Sequence, residues 1–221
     1  MGIHERKERE KEYRRNSILD AAEEVFFTKG FNLATMDEVA EQAELSKGTL
    51  YLYFKNKEDL FLGIACRALW LLRELFEKAI APPLTGLEMV RAIGKAHYEY
   101  ALNYPNYFNM VVHYETSQLD PGEYEGALLQ CHELGKGVME VVARAVSSGI
   151  DDGTMRPDLD PTRTAYLLRG LSAGIIQLIS REKEHIEKLE NFSSEDLMED
   201  FMEMMFYAIK SNGKTEPKKA K

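Results

Sequence analysis

Cysteine is nearly absent from this chain: Cys66 and Cys131 are its only two among 221 residues, and they stand 65 positions apart. Each lies inside an apolar pattern of helical period, so neither a disulfide framework nor a metal knuckle is expected. The two read as small buried hydrophobes in a reducing cytoplasm, with a redox switch as the alternative. Long hydrophobic runs are also missing. Arg67 and Gln177 interrupt the two best candidates. Neither approaches the roughly 18 residues that a membrane span needs. The first fifteen residues interleave Glu with Arg and contain no apolar stretch of the kind a signal peptide needs. These absences exclude a membrane role and set the expectation of a cytoplasmic protein.

Catalytic signatures are absent too. There is no phosphate-binding Walker loop, no Gly-x-Gly-x-x-Gly after a strand, no His-Glu-x-x-His and no nucleophile elbow. Cys131-His132-Glu133 places reactive types side by side, but neighbours on a helix point about 100° apart. His97, His113 and His132 are 16 and 19 positions apart, which matches no metal-ligand spacing. The expectation is a protein that is not an enzyme and carries neither metal nor cofactor.

The net charge of −9 stands at first sight against nucleic acid, since phosphate affinity comes from positive surface. Even residues 1–60 carry 10 Lys+Arg against 13 Asp+Glu. A nucleic-acid partner therefore requires the basic side chains to be gathered on one face.

What the chain has in quantity is helical period. Apolar residues at 18, 19, 22, 25 and 26 make an amphipathic helix that ends at Gly30, where Phe31 can fold back on Phe26. The run Glu8 to Glu12 before it reads as a solvated extension with i,i+4 pairs. Thr35 with Glu38 forms a capping box and opens a short helix to about Ala43. Ser46 caps another, Lys47 to Tyr53. A long helix from about Asn56 to Ile80 is stopped by Pro82-Pro83. Further helices are expected at about 85–103, 106–117, 122–149, 161–189 and 194–211, and no strand alternation of useful length occurs. The fold class is therefore all-α. The expected organisation is an N-terminal three-helix domain with its arm (1–55), a larger helical domain (56–211) and a disordered basic tail (212–221). Four lysines in that tail face one acid.

Two short helices joined through Ala43-Glu44-Leu45 form a helix-turn-helix, in which the second helix enters the major groove of DNA. The residue types fit that use. Gly48 costs helix stability but removes a side chain where backbone meets phosphate. Lys47 and Thr49 offer an ammonium and a hydroxyl plus methyl to base edges. Tyr51, Tyr53 and Lys57 offer phosphate ligands, and Thr35 and Ser46 bring helix N-termini that favour anions. Leu50 and Phe54 read as core.

Gly30-Phe31, Thr35 to Ala40 and Leu45 to Leu60, with the order Ser46-Lys47-Gly48-Thr49-Leu50-Tyr51-Leu52-Tyr53-Phe54-Lys55-Asn56-Lys57 at its centre, resemble the DNA-binding segment of the tetracycline-repressor (TetR) family. The resemblance covers about residues 14–62. It implies a ligand-responsive repressor, a homodimer whose last two helices form a four-helix bundle with the partner's, and double-stranded operator DNA held by Thr35, Lys47, Gly48, Thr49, Tyr51, Tyr53 and Lys57. Arg14 and Arg15 come next, in an arm that also reads as solvated.

Small residues Gly170, Ala173 and Gly174 stand among Leu167, Leu171, Ile175 and Ile179, and Leu197, Phe201, Met204, Met205 and Ala208 make an apolar stripe in the last helix. Both patterns suit close helix packing. Periodicity alone leaves packing within one chain open. Trp70, Tyr98, Phe108, Met110, Tyr114, Met139 and Tyr166 are the candidate lining of a pocket for a small hydrophobic or aromatic effector, although each residue type taken singly is more common as ordinary core. The long helix carries Lys57 near its start and Trp70 about 20 Å further on, so an effector that tilts it would change the spacing of two DNA-reading heads. The same front end also fits a DNA-bound factor whose helical body recruits a protein and senses no ligand.

Overall fold

The computed structural model describes residues 2–119, 121–186, 188 and 192–211. The basic tail 212–221 lies outside them. Nine α-helices form the described chain: α1 (Ile3–Lys29), α2 (Met36–Gln42), α3 (Lys47–Tyr51), α4 (Lys57–Ala79), α5 (Gly86–Asn103), α6 (Pro105–Thr116), α7 (Pro121–Asp151), α8 (Pro161–His185) and α9 (Ser194–Ile209). The all-α expectation holds; one isolated antiparallel bridge joins Met155 to Lys210. No helix among the described residues is long and apolar enough to cross a membrane.

The chain divides into two compact units, Met1–Leu69 with Asn106–Glu133 and Trp70–Pro105 with Leu134–Lys221. The division between these units passes inside α4, after Leu69. The apolar residues of the early α4 turns explain this: Leu60, Phe61, Leu62, Ile64 and Ala65 are all buried, so the first half of α4 belongs to the core of the first unit.

In that first unit α1 contributes Ile18, Ala22, Val25 and Phe26 to the core. Gly30 ends the helix at φ 80°, ψ 153°. That is a positive φ, as expected, but outside the left-handed helical basin. Its N–H donates to the Phe26 carbonyl at 2.9 Å, and the Phe31 ring meets the edge of Phe26 at 5.6 Å. The helix starts fifteen residues before Ile18, because the arm read as solvated continues as the exposed N-terminal turns of α1. Arg67 of α4 is tied to α1 by Asp20 (2.7 Å), Glu23 (2.9 Å) and the Asn16 carbonyl (3.0 Å). Tyr107 of α6 donates to Glu23 as well (3.0 Å), and burial together with that carboxylate pushes its phenol up to about 12.

The cysteines depart from expectation. Cys66 of α4 and Cys131 of α7 are joined in a disulfide, with Cα atoms 4.9 Å apart. They are buried hydrophobes, as read. The packing of two helices distant in sequence makes them partners, and spacing alone carries no sign of that.

In the second unit the N-terminus of α5 meets α7 backbone to backbone. A Cβ at Gly86 would lie 1.9 Å from the Gly149 nitrogen, and the Gly86 N–H donates to Asp152 at 2.7 Å. Gly86→Ala is therefore expected to destabilise by about 1–3 kcal/mol through forced separation of these backbones, measured by denaturant unfolding; a neutral outcome would contradict this crossing. His97 of α5 is buried, its Nδ1 2.8 Å from Ser172 Oγ of α8 and its ring against Phe76. Arg91 of α5 lies over the Phe206 ring of α9, and Arg156 donates to the Ala208 carbonyl at the end of α9.

Candidate nucleic-acid interface

The α2–α3 pair is held by local chemistry legible in the residues. Thr35 accepts from the Glu38 N–H (3.3 Å), and the Glu38 carboxylate accepts in return from the Thr35 N–H (3.0 Å), which satisfies two helix-terminal donors reciprocally. Ser46 accepts from the Thr49 N–H (3.2 Å), and the two hydroxyls lie 2.8 Å apart. Between the helices the Leu45 N–H donates to the Ala40 carbonyl (2.9 Å), and Glu44 turns the chain at φ 54°. Glycine is the usual residue at such a left-handed position.

This geometry sets the facing of α3. Leu50 is fully buried and Phe54 behind it is too, while Lys47, Gly48 and Tyr51 are exposed and Thr49 and Tyr53 half-buried. Around Gly48 only Ser46 Oγ approaches where a Cβ would sit, at 3.9 Å, so the backbone is open to an incoming group. Lys47 pairs with Asp37 at 2.6 Å. Both are well exposed, so the pair contributes little and its ammonium can exchange the carboxylate for a base edge or phosphate. Two exposed apolar residues of the head escape the sequence reading. Leu33 and Leu52 are exposed, Leu52 at 82%, although both are apolar. For Leu52 a signal is present: two positions from buried Leu50, a helical residue points roughly away from it.

Lys57 makes contacts within the chain that its sequence position does not announce. Its ammonium donates to the carbonyls of Phe31 (2.8 Å), Asn32 (3.2 Å) and Ala34 (3.1 Å) and lies 4.6 Å over the Phe31 ring. Three donors meet three acceptors, so the side chain holds the segment leading into α2. Lys57→Ala is expected to cost about 1–3 kcal/mol of stability by leaving those carbonyls without their charged donor. Thermal unfolding without DNA measures this; a lysine that served only phosphate would leave that transition unmoved.

The seven candidate effector residues are divided between the two compact units. Phe108, Met110 and Tyr114, all on α6, belong to the first unit; the first two are buried and Tyr114 is half-buried. Trp70, Tyr98, Met139 and Tyr166 belong to the second. There Met139 is core, with the Arg169 guanidinium 3.9 Å from its sulfur, and Tyr98 is half-buried. Trp70 and Tyr166 are 56% and 59% exposed. Tyr166 opens a different feature, an apolar stripe with Leu167, Leu171 and Leu178 on α8, beside which α9 exposes Met204 and Tyr207. Gly170 and Gly174 face open space in the same stretch. Of the histidines, His113 packs on Phe31 and Phe61, His132 is exposed, and no cluster of potential metal ligands exists among the described residues.

Comparison with known proteins agrees with this account of the head. Residues 18–64 match the profile of the bacterial regulatory proteins of the tetR family. The chain is 27% identical over 172 residues to the uncharacterized HTH-type transcriptional regulator YhgD of Bacillus subtilis, covering 78% of this chain and 86% of that one. It is 27% identical over 154 residues to the fatty acid metabolism regulator protein of the same organism, covering 69% and 76%. Its fold is similar to the crystal structure of the transcriptional regulator FadR from Bacillus subtilis in complex with stearoyl-CoA, with a TM-score of 0.68 at 22% identity over 86% of this chain and 96% of that one. The helix-turn-helix of residues 18–64 is thus that of the bacterial regulatory proteins of the tetR family, and the chain that carries it is a transcriptional regulator, not an enzyme.

Proposed function

We propose that the chain is a cytoplasmic homodimeric repressor that grips a palindromic operator with residues 1–55 and leaves it when residues 56–211 bind a long-chain acyl thioester. The facing of α3 carries the first half: a five-residue helix spends Leu50 on the core and turns Lys47, Gly48 and Tyr51 outward. Lys47 and Thr49 read base edges, Tyr51 and Tyr53 hold phosphates, and Thr35 and Ser46 fix the N-termini of their helices. Lys57 acts by positioning the segment before α2, and Leu33 and Leu52 supply apolar contact of the kind a thymine methyl takes. The apolar α8–α9 stripe with its two open glycines supports a two-fold bundle. The acyl thioester rests on the fatty acid metabolism regulator among the relatives and on the similar fold solved with stearoyl-CoA, and an acyl chain suits an apolar body.

Selection of bound duplexes from a random pool tests the DNA half; a two-fold symmetric consensus is expected, and an absence of enrichment would sink it. On the selected duplex, Thr49→Ala should shift base preference by about 1–3 kcal/mol at one position per half-site, whereas Tyr51→Phe should weaken all duplexes alike. Stearoyl-CoA is expected to release the duplex, with coenzyme A alone inert. Unchanged anisotropy with both would remove the acyl thioester and leave a DNA-bound factor that recruits a protein.

A further inference from the structure

We propose that the exposed N-terminal turns of α1 form a second DNA-binding surface, a cationic stripe that holds backbone phosphates flanking the bases read by α3. The inference rests on the DNA-binding reading above and extends it to a part of the chain outside the tetR match, which begins at residue 18.

The helix runs unbroken from Ile3, but its first buried residue is Ile18. Every residue from His4 to Arg14 is exposed. At a rise of about 1.5 Å per residue, that overhang is about 16 Å long. It buries no apolar surface of its own, so packing does not account for its cations. At about 100° per residue, Lys7, Lys11 and Arg14 fall within about 60° of one another, on the same side as Ile18, Ala22 and Val25. His4 and Arg15 stand at the stripe's other edge. Glu5 and Glu12 lie roughly opposite, while Glu8 and Glu10 flank it. Arg6 and Glu10 neutralise one another at 2.8 Å. Lys7, Lys11 and Arg14 form no ion pair among the described residues. Like charges at i,i+4 and i,i+3 repel, so the stripe lowers helix stability in water, and an array of phosphates converts that repulsion into attraction.

Arg15 fixes the direction in which the stripe faces. Its guanidinium lies 4.2 Å over the ring of Phe54, in the turn between α3 and α4, and feels the carboxylate of Asp59. The cations therefore leave the folded head on the side of that turn, which carries Tyr53 and Lys55 at the end of the reading helix. Lys7 lies about 12 Å beyond Arg15 along the axis. A backbone with one phosphate per about 3.4 Å of axis on each strand offers several partners over that reach. The acidic balance of the head, which stands against DNA binding as a bulk property, is offset locally by this arrangement: Lys7, Lys11 and Arg14 lie in one row, Glu8 and Glu10 flank it, and Glu5 and Glu12 lie on the far side together with Arg9.

The test compares wild-type full-length protein with Lys7→Gln/Lys11→Gln/Arg14→Gln, and with Glu5→Gln/Glu12→Gln on the opposite side. Each is titrated with its selected duplex and with a random duplex between about 50 and 200 mM salt. Glutamine keeps helix propensity, and circular dichroism with thermal unfolding verifies each fold. The triple variant is expected to lose about ten- to hundredfold in affinity at about 0.1 M salt, equally on both duplexes, with the salt slope shallower by about 2–3. The glutamate variant should keep the wild-type slope, since its charges face away. A triple variant with the wild-type slope would overturn the stripe while leaving α3 as reader. A glutamate variant whose slope steepens as much as the triple variant's falls would overturn it in favour of net charge acting at a distance. Wild-type protein that binds neither duplex would remove both this surface and the regulator reading.

Discussion

Reduction of the Cys66–Cys131 disulfide is expected to cost about 4 kcal/mol of stability, since it releases a cross-link spanning 65 residues of chain. For a chain of this size that corresponds to roughly 8–16 °C in Tm. The location gives the bond its consequence. Cys66 is next to Arg67, which ties α4 to Asn16, Asp20 and Glu23 of α1, and nine residues after Lys57, which ties α4 to the carbonyls before α2. Cys131 therefore fastens α7 to the helix on which the DNA-reading head is assembled, and both cysteines lie in one compact unit. Thermal unfolding of air-oxidised protein with and without a phosphine reductant measures the effect, and mass analysis after alkylation counts thiols. Cys66→Ala/Cys131→Ala should melt near the reduced wild type and ignore the reductant. Equal response of both proteins to the reductant, or none in either, would show that the bond is not a stabilising element. In a strongly reducing compartment the dithiol is the working form, and the bond then adds its stability under oxidising stress only.

The head is readable from sequence because its determinants are local. The Thr35–Glu38 capping box, the Ser46 cap, the Gly30 stop and the buried pair Leu50 and Phe54 each depend on residues a few positions apart, and each is found as read. The features that escape depend on contacts between residues far apart. Lys57 reads as a surface cation until the carbonyls of residues 31–34, over twenty positions earlier, are seen to surround it. Cys131 finds Cys66, and Gly86 finds Gly149, only through helix crossings that periodicity does not encode. Trp70 and Tyr166 suit a pocket lining by size and aromaticity, yet both are exposed. Residue type does not choose between an interior and an exposed face. Glu44 shows the reverse limit: a turn placed correctly by its flanking helices uses a left-handed residue whose side chain gives no hint of it.

Acidification from pH 7 to pH 4 should remove about 3 kcal/mol of stability through His97 alone. Burial, followed by the neighbouring Arg169 guanidinium, lowers its imidazole from 6.5 to about 4 in the folded protein. Above pH 6.5 the ring is neutral in both folded and unfolded chains and contributes no pH dependence. As pH falls below 6.5 the unfolded chain takes up a proton that the folded ring refuses, so the unfolded state gains and stability drops. The loss grows until the folded ring also protonates near pH 4, and the gap between the two values sets its size at about 1.4 kcal/mol for each pH unit. The ring sits against Phe76 and shares a hydrogen bond of 2.8 Å with Ser172, itself buried, so removing the imidazole alone would leave Ser172 Oγ without its partner. The informative variant is therefore His97→Phe/Ser172→Ala, which takes away the titrating group and the hydroxyl together. Urea unfolding at pH 7, 6, 5 and 4 should show the wild-type curve falling more steeply than the variant's, with the two diverging below pH 6.5 by about one proton. Parallel curves across that range would mean that the ring titrates normally, and with it that the α5–α8 contact is wetter than the packing of His97 indicates.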